Sequence, residues 1–321
     1  MSEYQIVPAS EVAESFSVIA KAHGGIFFSE EILKSAGAGT EQIAIVQNGG
    51  KCLGGFNLQV IKLKGFKTIA APQFHPHCGL FIIPLEGSSS TILGRKKKII
   101  SAISSYLSSR PEPITWIPFP PEVSDMQPFI WDGFRTSIKY TYRLDLKVHK
   151  DLLDAYSAKT RNSIKKAMKL GVNVNPASNG EAVLQMLNSN AEEQGFGYDQ
   201  AALLKFIACG LSDQGLVFSA FSDSGTVATA VTVADQRVAY YLFGGIDRKA
   251  NVQGALGFVL HELISAYQKR GLQTFDFEGS MIPAVENFFR SFGGQQVPYY
   301  VIAKAPFWLT PFLRLRGKKE F

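Results

Sequence analysis

The chain has 321 residues, of which 46% are hydrophobic and 19% are charged, a composition that excludes a largely disordered protein. Its formal net charge of +6 favours anionic partners without naming one. Three cysteines exclude a disulfide framework, and neither a signal peptide nor an uninterrupted apolar run of about 18 residues is visible. We therefore expect a cytoplasmic protein, with two domains of about 150 residues each.

Hydrophobic periodicity and turn residues predict the elements of the first half. In chain order they are a helical region over 9–35, strands over 42–47 and 51–63 joined by the turn Asn48-Gly49-Gly50, a third strand over 66–71, a helix over 91–108, and strands over 114–118 and 134–146. The helix is predicted because Ile99, Ile100, Ile103 and Leu107 recur at helical spacing.

The second half has the same succession of elements. Helices are predicted over 151–156, 160–170, 180–194 and 199–211, a hairpin over 216–234, a strand over 237–244, a helix over 254–269, a strand over 274–277, a helix over 283–292 and a strand over 296–304. In both halves a hairpin sheet leads into a helix and then a buried strand. We therefore predict a mixed α/β (α+β) fold of two similar domains, 1–135 and 136–321, each a mostly antiparallel mixed sheet flanked by helices.

A glycine-bearing loop enters the helix that begins at Gly254, directly after the strand over 237–244. Unpaired amides and the positive helix end would then point into one spot, which can bind a phosphate. A donor such as acyl-CoA would fit beside Gln253, Gly254 and Gly257, and a backbone amide near Phe243 could polarise its carbonyl group. Alternatively, the glycines only permit a turn and close helix packing, because a Gly-x-x-Gly spacing is common.

Two carboxylates follow each other at the end of a predicted strand. Asp276 and Glu278 are two residues apart, so on a strand their side chains share one face. Together with Tyr241 they could accept a proton from an attacking amine or hold an ammonium group. Alternatively, both acids are solvated or pair with arginines.

The predicted helix over 160–170 carries cations every four residues. Arg161, Lys165 and Lys169 therefore form one stripe, which could bind a phosphate or diphosphate. The alternative is a solvated helix face.

Several segments of the second half together resemble a known group of enzymes. They are KTRNSIKKAMKLGV over 159–172, AYYLFGG over 239–245, the helix start at Gly254, FDFEGS over 275–280 and FFRSFGG over 288–294. Their order and spacing are similar to those of the Fem-type transferases of the GNAT superfamily, which include the peptidoglycan bridge aminoacyltransferases. The resemblance covers about residues 136–302. It implies two tandem GNAT-like domains and transfer of an acyl or aminoacyl group to an amine.

The resemblance also implies substrate contacts from Arg161, Lys165, Phe288 and Arg290. One residue departs from the pattern of the group, Phe-Lys-x-x-Phe-Gly, because Phe289 stands where the lysine is expected and Arg290 follows one position later. A shift of one residue rotates a helical side chain by roughly a quarter turn. Either Arg290 reaches the same anion or the charge is lost.

Three hypotheses follow. The first is an N-acyltransferase that uses acyl-CoA and an amine acceptor. The second is a Fem-type aminoacyltransferase that uses aminoacyl-tRNA and a cell-wall precursor, and the third is a catalytically degenerate GNAT pair that only binds a ligand.

Two further segments bear on partners. The tail over 306–319 has aromatic residues followed by cations, which suits peripheral contact with an anionic membrane, although its aromatic residues could instead pack on the core. No DNA partner is expected, and no metal, since the segment His75-Pro76-His77-Cys78 has no second cluster of ligands.

Overall fold

The computed structural model describes residues 3–223 and 225–315 together with Gly317 and Glu320. The chain falls into two units. The first ends at Lys139 and takes up the chain again from Pro298, and the second is Tyr140–Val297.

The first unit contains two short 3-10 helices, Ala9–Val12 and Ile26–Phe28, and the elements up to the start of β7. These are β1 (Tyr4–Pro8), α1 (Ala13–His23), α2 (Glu30–Ser35), β2 (Thr40–Gln47), β3 (Lys51–Leu63), β4 (Phe66–Ala70), β5 (Phe81–Ile82), α3 (Ser89–Ser109), β6 (Ile114–Pro118), α4 (Gln127–Trp131) and β7 (Arg135–Asp145).

The second unit begins within β7 and extends into β13. Its elements are α5 (Leu152–Ala155), α6 (Ala158–Lys169), β8 (Asn173–Pro176), α7 (Gly180–Glu193), α8 (Gln200–Leu211), β9 (Gly215–Ser222), β10 (Gly225–Ala234), β11 (Val238–Ile246), α9 (Ala255–Lys269), β12 (Thr274–Asp276), α10 (Pro283–Arg290) and β13 (Gln295–Lys304). The chain then adds α11 (Thr310–Leu315) to the first unit.

The sheets of the two units have the same plan. In the first unit the strand order is β1-β2-β3-β4-β6-β13, and only β4 and β6 are parallel. In the second it is β7-β12-β11-β10-β9-β8, and only β11 and β12 are parallel. A long helix, α3 or α9, connects the parallel pair in each case, as a parallel connection requires. The predicted mixed α/β fold of two similar halves is confirmed.

The helix starts follow from the sequence. The side chains of Ser88, Ser157, Asn179 and Asp199 accept hydrogen bonds from amides in the first turns of α3, α6, α7 and α8. These residues are the N-caps that such helices prefer. Short elements were missed, because β1 and β8 have only five and four residues and carry no clear apolar period.

The division of the chain differs from the predicted one. The predicted boundary between residues 135 and 136 lies four residues before the observed one, within the same strand, β7. The larger difference is at the other end. The predicted second domain contains everything after residue 135, whereas the chain returns to the first unit at Pro298, because β13 pairs with β6 from Val301 to Lys304.

The core of the second unit is built around α9. Its residues Val259, Leu260, Leu263 and Ile264 are fully buried in one cluster with residues of the sheet. Tyr267 is also fully buried, and its hydroxyl group lies 2.6 Å from Oγ1 of Thr232 on β10. One helix is therefore fixed to the sheet along its whole length, and this holds its first turn in place after β11.

We predict that Gly293→Ala destabilises the second unit much more than Gly271→Ala. Both glycines have φ near +80°, which costs any other residue about 1–2 kcal/mol. A Cβ atom at Gly293 would lie 2.1 Å from the carbonyl oxygen of Ala155, whereas Gly271 has nothing within 4 Å. Chemical denaturation of both variants measures the difference. Equal losses would contradict this packing.

Candidate active site

The parallel strands β11 and β12 separate after the third of the nine residues of β11. Their register ends at the pair Tyr240 and Asp276, where β12 stops, while β11 continues to Ile246. Opposite this point β11 contains a bulge against β10, since Val231 faces Phe243 and Thr232 faces Tyr241. A bulge inserts one extra residue and redirects the side chains next to it. The sheet therefore opens at Tyr241.

The bulge places the Tyr241 ring over the backbone of Gly244. Residues three apart point to opposite faces of a regular strand, but a Cβ atom at Gly244 would lie 1.8 Å from the Tyr241 hydroxyl oxygen. Glycine is therefore required there. Tyr241 is only 8% exposed, and burial, with a smaller contribution from Tyr198, raises the pKa of its phenol. The hydroxyl group stays protonated at neutral pH.

Asp276 is held by three hydrogen bonds. Its carboxylate accepts from the Thr141 hydroxyl at 2.5 Å, from Nε of Arg143 at 2.7 Å and from the amide of Glu278 at 2.8 Å. The side chain of Asp276 is 4% exposed and that of Arg143 19%. Asp276 thus forms a buried ion pair with an arginine, which is one of the alternatives that the sequence left open.

Glu278 does not share a strand face with Asp276, so this part of the prediction is wrong. The strand ends at Asp276, and Glu278 has a left-handed backbone with φ +58°. The next residue, Gly279, is also left-handed and packs so closely on β7 that a Cβ atom would lie 1.9 Å from the carbonyl oxygen of Tyr140. A non-glycine residue rarely adopts this conformation, and such strain is concentrated at functional sites.

The Glu278 carboxyl group lies in an unusual environment. Its Oε1 atom is buried and has no hydrogen-bond partner among the described residues, although the residue as a whole is partly exposed. Burial, and secondly the charge of nearby Asp276, raise the pKa of Glu278 well above its ordinary value. Two acids at neighbouring positions therefore have opposite environments, which is typical of acid–base pairs in active sites.

Aromatic rings of the core pack on Tyr241. Phe289 is 7% exposed, and its ring lies 5.5 Å from that of Phe277 and 5.8 Å from that of Tyr241. Phe288 packs on Phe289 and on Phe292. The residue at the expected lysine position is thus part of a neutral wall that includes Tyr241.

Two of the predicted cations have partners within the second unit. Arg161 donates to the carbonyl oxygens of Tyr156 and Leu153, and Arg290 pairs with Glu286 at 2.8 Å. Lys165 is exposed on α6. Arg290 is itself 58% exposed, and its contact with an anionic substrate stays a prediction.

The start of α9 lies against α6. Gly254, with φ +89°, comes so close to Ser163 that a Cβ atom would lie 2.3 Å from the Ser163 carbonyl oxygen. Gln253 accepts a hydrogen bond from Lys166 at 3.0 Å, and Gly257 is buried. The glycine at 254 therefore permits close helix packing, the alternative that the sequence left open.

Phe243, predicted to lie near the donor carbonyl group, is buried beside α8. It is 8% exposed, and its ring packs at 5.7 Å on Tyr198.

Among the described residues, no group of three or more His, Cys, Asp or Glu side chains could hold a metal ion. Within the same part of the chain, no helix is both long enough and apolar enough to cross a membrane.

The sequence pattern did not reveal the partners of Asp276. Thr141 and Arg143 lie two residues apart on β7, and Arg143 faces Asp276 in the register of β7 with β12. The sequence does show Arg143 within a strand of alternating polarity. Only the pairing of β7 with β12 shows that its partner is Asp276.

Comparison with known proteins gives a family match for most of the second unit. Residues 158–290 match the family model described as an acetyltransferase (GNAT) domain. No curated protein sequence matches the chain.

Several solved structures have the same fold. The crystal structure of FemX has a TM-score of 0.65 at 12% identity and covers 99% of this chain and 100% of its own. The C-terminal domain of a putative lysylphosphatidylglycerol synthetase from Agrobacterium fabrum has a TM-score of 0.57 at 12% identity, with 96% of both chains covered. A tandem GNAT protein from the clavulanic acid biosynthesis pathway has a TM-score of 0.56 at 13% identity and covers 94% and 98%. The chain has the tandem GNAT fold, and the predicted resemblance to Fem-type proteins is confirmed.

We predict that Asp276→Asn lowers the free energy of unfolding by about 1.5–3 kcal/mol, since it removes the charged carboxylate that accepts from Thr141 and Arg143. Glu30→Gln is the matched control, because it removes the exposed partner of Lys34. We expect this variant to change stability little. Chemical denaturation checks both, and an unchanged Asp276→Asn protein would show that the pair does not hold the strand end.

We predict that Glu278→Gln stabilises the protein at alkaline pH. Because the folded-state pKa is raised, the wild-type protein gains stability as the pH falls through this pKa and loses it as the pH rises. The gain from Gln is about 1.4 kcal/mol for each unit by which the pKa is raised, and it disappears below the pKa of the unfolded state. Melting temperatures across the pH range measure it. A variant that is less stable at every pH would contradict the assignment.

Proposed function

We propose that this chain transfers an acyl group, and in particular an aminoacyl group, from an activated donor to the amine of an acceptor at the opening between β11 and β12. The observation that carries the proposal is Glu278, whose buried carboxyl oxygen has no partner among the described residues and whose pKa is raised. It directly follows the point at which the two strands separate.

The proposed chemistry needs one proton acceptor. The amine nitrogen attacks the donor carbonyl carbon, a C–N bond forms, and the bond from that carbon to the donor oxygen or sulfur breaks. The Glu278 carboxylate takes the amine proton and returns it to the leaving atom. A raised pKa makes this carboxylate a stronger base than an exposed one. The protonated Tyr241 hydroxyl can donate a hydrogen bond to the developing charge.

Similarity favours an aminoacyl donor over acyl-CoA. FemX and a protein named as a putative lysylphosphatidylglycerol synthetase both cover nearly the whole chain. This supports the second sequence hypothesis, an aminoacyl-tRNA donor and a cell-wall precursor such as a nucleotide-linked sugar peptide as the acceptor. The close approach of Ser163 to Gly254 also leaves less room for a pyrophosphate at the start of α9.

Acyl-CoA is the second candidate donor, because residues 158–290 match an acetyltransferase domain. A backbone amide near Phe243 and the first turn of α9 with Gly257 would then hold the donor. Lys165 on α6 is exposed and has no ion pair among the described residues, which supports an anionic substrate in either case.

The experiment offers the protein both donors with the same acceptor. We expect transfer of radiolabelled amino acids from a mixture of charged tRNAs to a nucleotide-linked sugar peptide, and none from acetyl-CoA. We predict that Glu278→Gln lowers kcat by about 10²- to 10⁴-fold with a smaller change in KM. Glu181→Gln, an exposed glutamate of α7, is the control and should keep wild-type activity.

Other outcomes are equally informative. Transfer from acetyl-CoA alone would select the second candidate donor. Transfer that Glu278→Gln leaves intact would refute the role of this carboxyl group. A melting temperature raised by a donor without turnover would instead support the degenerate, ligand-binding hypothesis.

A further inference from the structure

Large apolar side chains are exposed at the end of the chain. Phe307 and Leu315 are each 88% exposed, and Trp308 is 59% exposed. Single exposed apolar residues are common, but several next to one another indicate an interaction surface. The sequence left open whether Phe307 and Trp308 pack on the core, and the structure leaves most of both in contact with solvent.

These residues are held in place by their neighbours. Leu309 and Leu313 are buried in a cluster with Ile114 and Ala303, so α11 is docked on the first unit. The exposed residues therefore lie on a fixed scaffold.

The hairpin between β3 and β4 completes this surface. The ring of Phe66 lies 6.4 Å from that of Trp308 and 6.3 Å from that of Phe312. Leu63 packs against the same cluster as α11. We use the term basic–aromatic patch for the hairpin residues 61–67 together with residues 307–315.

The basic–aromatic patch carries cations and no acids. Lys62, Lys64 and Lys67 are exposed on the hairpin, and Arg314 is exposed on α11. Neither 60–67 nor 304–319 contains an acidic residue. The sequence continues with Arg316, Lys318 and Lys319, which lie outside the described residues.

Two of the lysines face each other across the hairpin. Lys62 and Lys67 are directly paired in the register of β3 with β4, and like charges in this position destabilise a sheet. Lys64, in the turn, has a left-handed backbone with φ +51°. An anionic surface against the hairpin would relieve this repulsion.

We propose that the basic–aromatic patch binds the surface of an anionic lipid bilayer. The aromatic and leucine side chains would enter the boundary between headgroups and acyl chains while the lysines contact the lipid phosphates. A lipid surface receives both kinds of side chain at once. A nucleic acid would bind the lysines but would leave Phe307 and Leu315 in water, so the membrane is the better match.

The test is co-sedimentation of the full chain with vesicles, which does not depend on turnover. We expect binding to vesicles of phosphatidylglycerol mixed with phosphatidylcholine, little binding to phosphatidylcholine alone, and weaker binding at high salt. The triple variant Lys62→Gln, Lys64→Gln, Lys67→Gln should weaken binding by roughly 5-fold for each lysine removed. The double variant Phe307→Ser, Leu315→Ser should weaken it by about tenfold or more.

Matched controls test whether vesicle binding depends on the basic–aromatic patch itself or on any exposed lysine or apolar side chain. Lys21→Gln, Lys51→Gln, Lys205→Gln removes three exposed lysines elsewhere, and Val18→Ser, Val148→Ser removes two apolar side chains that are 66% and 68% exposed. We expect both to bind vesicles like the wild-type chain.

Three results would overturn the proposal. They are no binding to anionic vesicles, equal binding to vesicles without phosphatidylglycerol, or equal losses in the controls. RNA binding that the hairpin triple variant abolishes, in a protein that does not bind vesicles, would assign the patch to a nucleic acid instead.

Discussion

The ion pair between Arg143 and Asp276 is the constraint on which the candidate site depends. One buried carboxylate accepts from a hydroxyl group and a guanidinium group of β7 and from the amide of Glu278. The hydrogen bond from the amide of Glu278 to Asp276 turns the backbone directly after β12. Because β12 ends there and β11 does not, the parallel pair opens at Tyr241. The carboxylate of Asp276 is thus occupied, whereas Oε1 of Glu278 has no partner among the described residues.

The side chains packed on Tyr241 are neutral. Phe289 stands at the expected lysine position, stacks on Phe277 and lies against the Tyr241 ring. The raised pKa of Glu278 has other causes, since burial contributes most and the nearby charge of Asp276 comes second.

The two units share a plan but differ in chemistry. In the first, the parallel pair β4 and β6 is followed by Phe119 and two prolines, and no carboxylate stands at the strand end. In the second, the equivalent strand is followed by Glu278. The first unit instead carries the lysines and exposed aromatic residues near α11. The same fold therefore presents different side chains in the two units, and function depends on these side chains rather than on the fold.

The sequence by itself determined the helices, the hairpins and the likeness of the two halves, because local periodicity, caps and turn residues dictate these features. It also pointed to the strand end at 276–278 and to the aromatic segment over 288–294. Only the tertiary structure decided that β13 returns to the first unit and that Asp276 is paired while Glu278 is not. These outcomes depend on contacts between residues more than 100 positions apart, such as Arg143 with Asp276, and no local pattern encodes which of two neighbouring acids the arginine will meet.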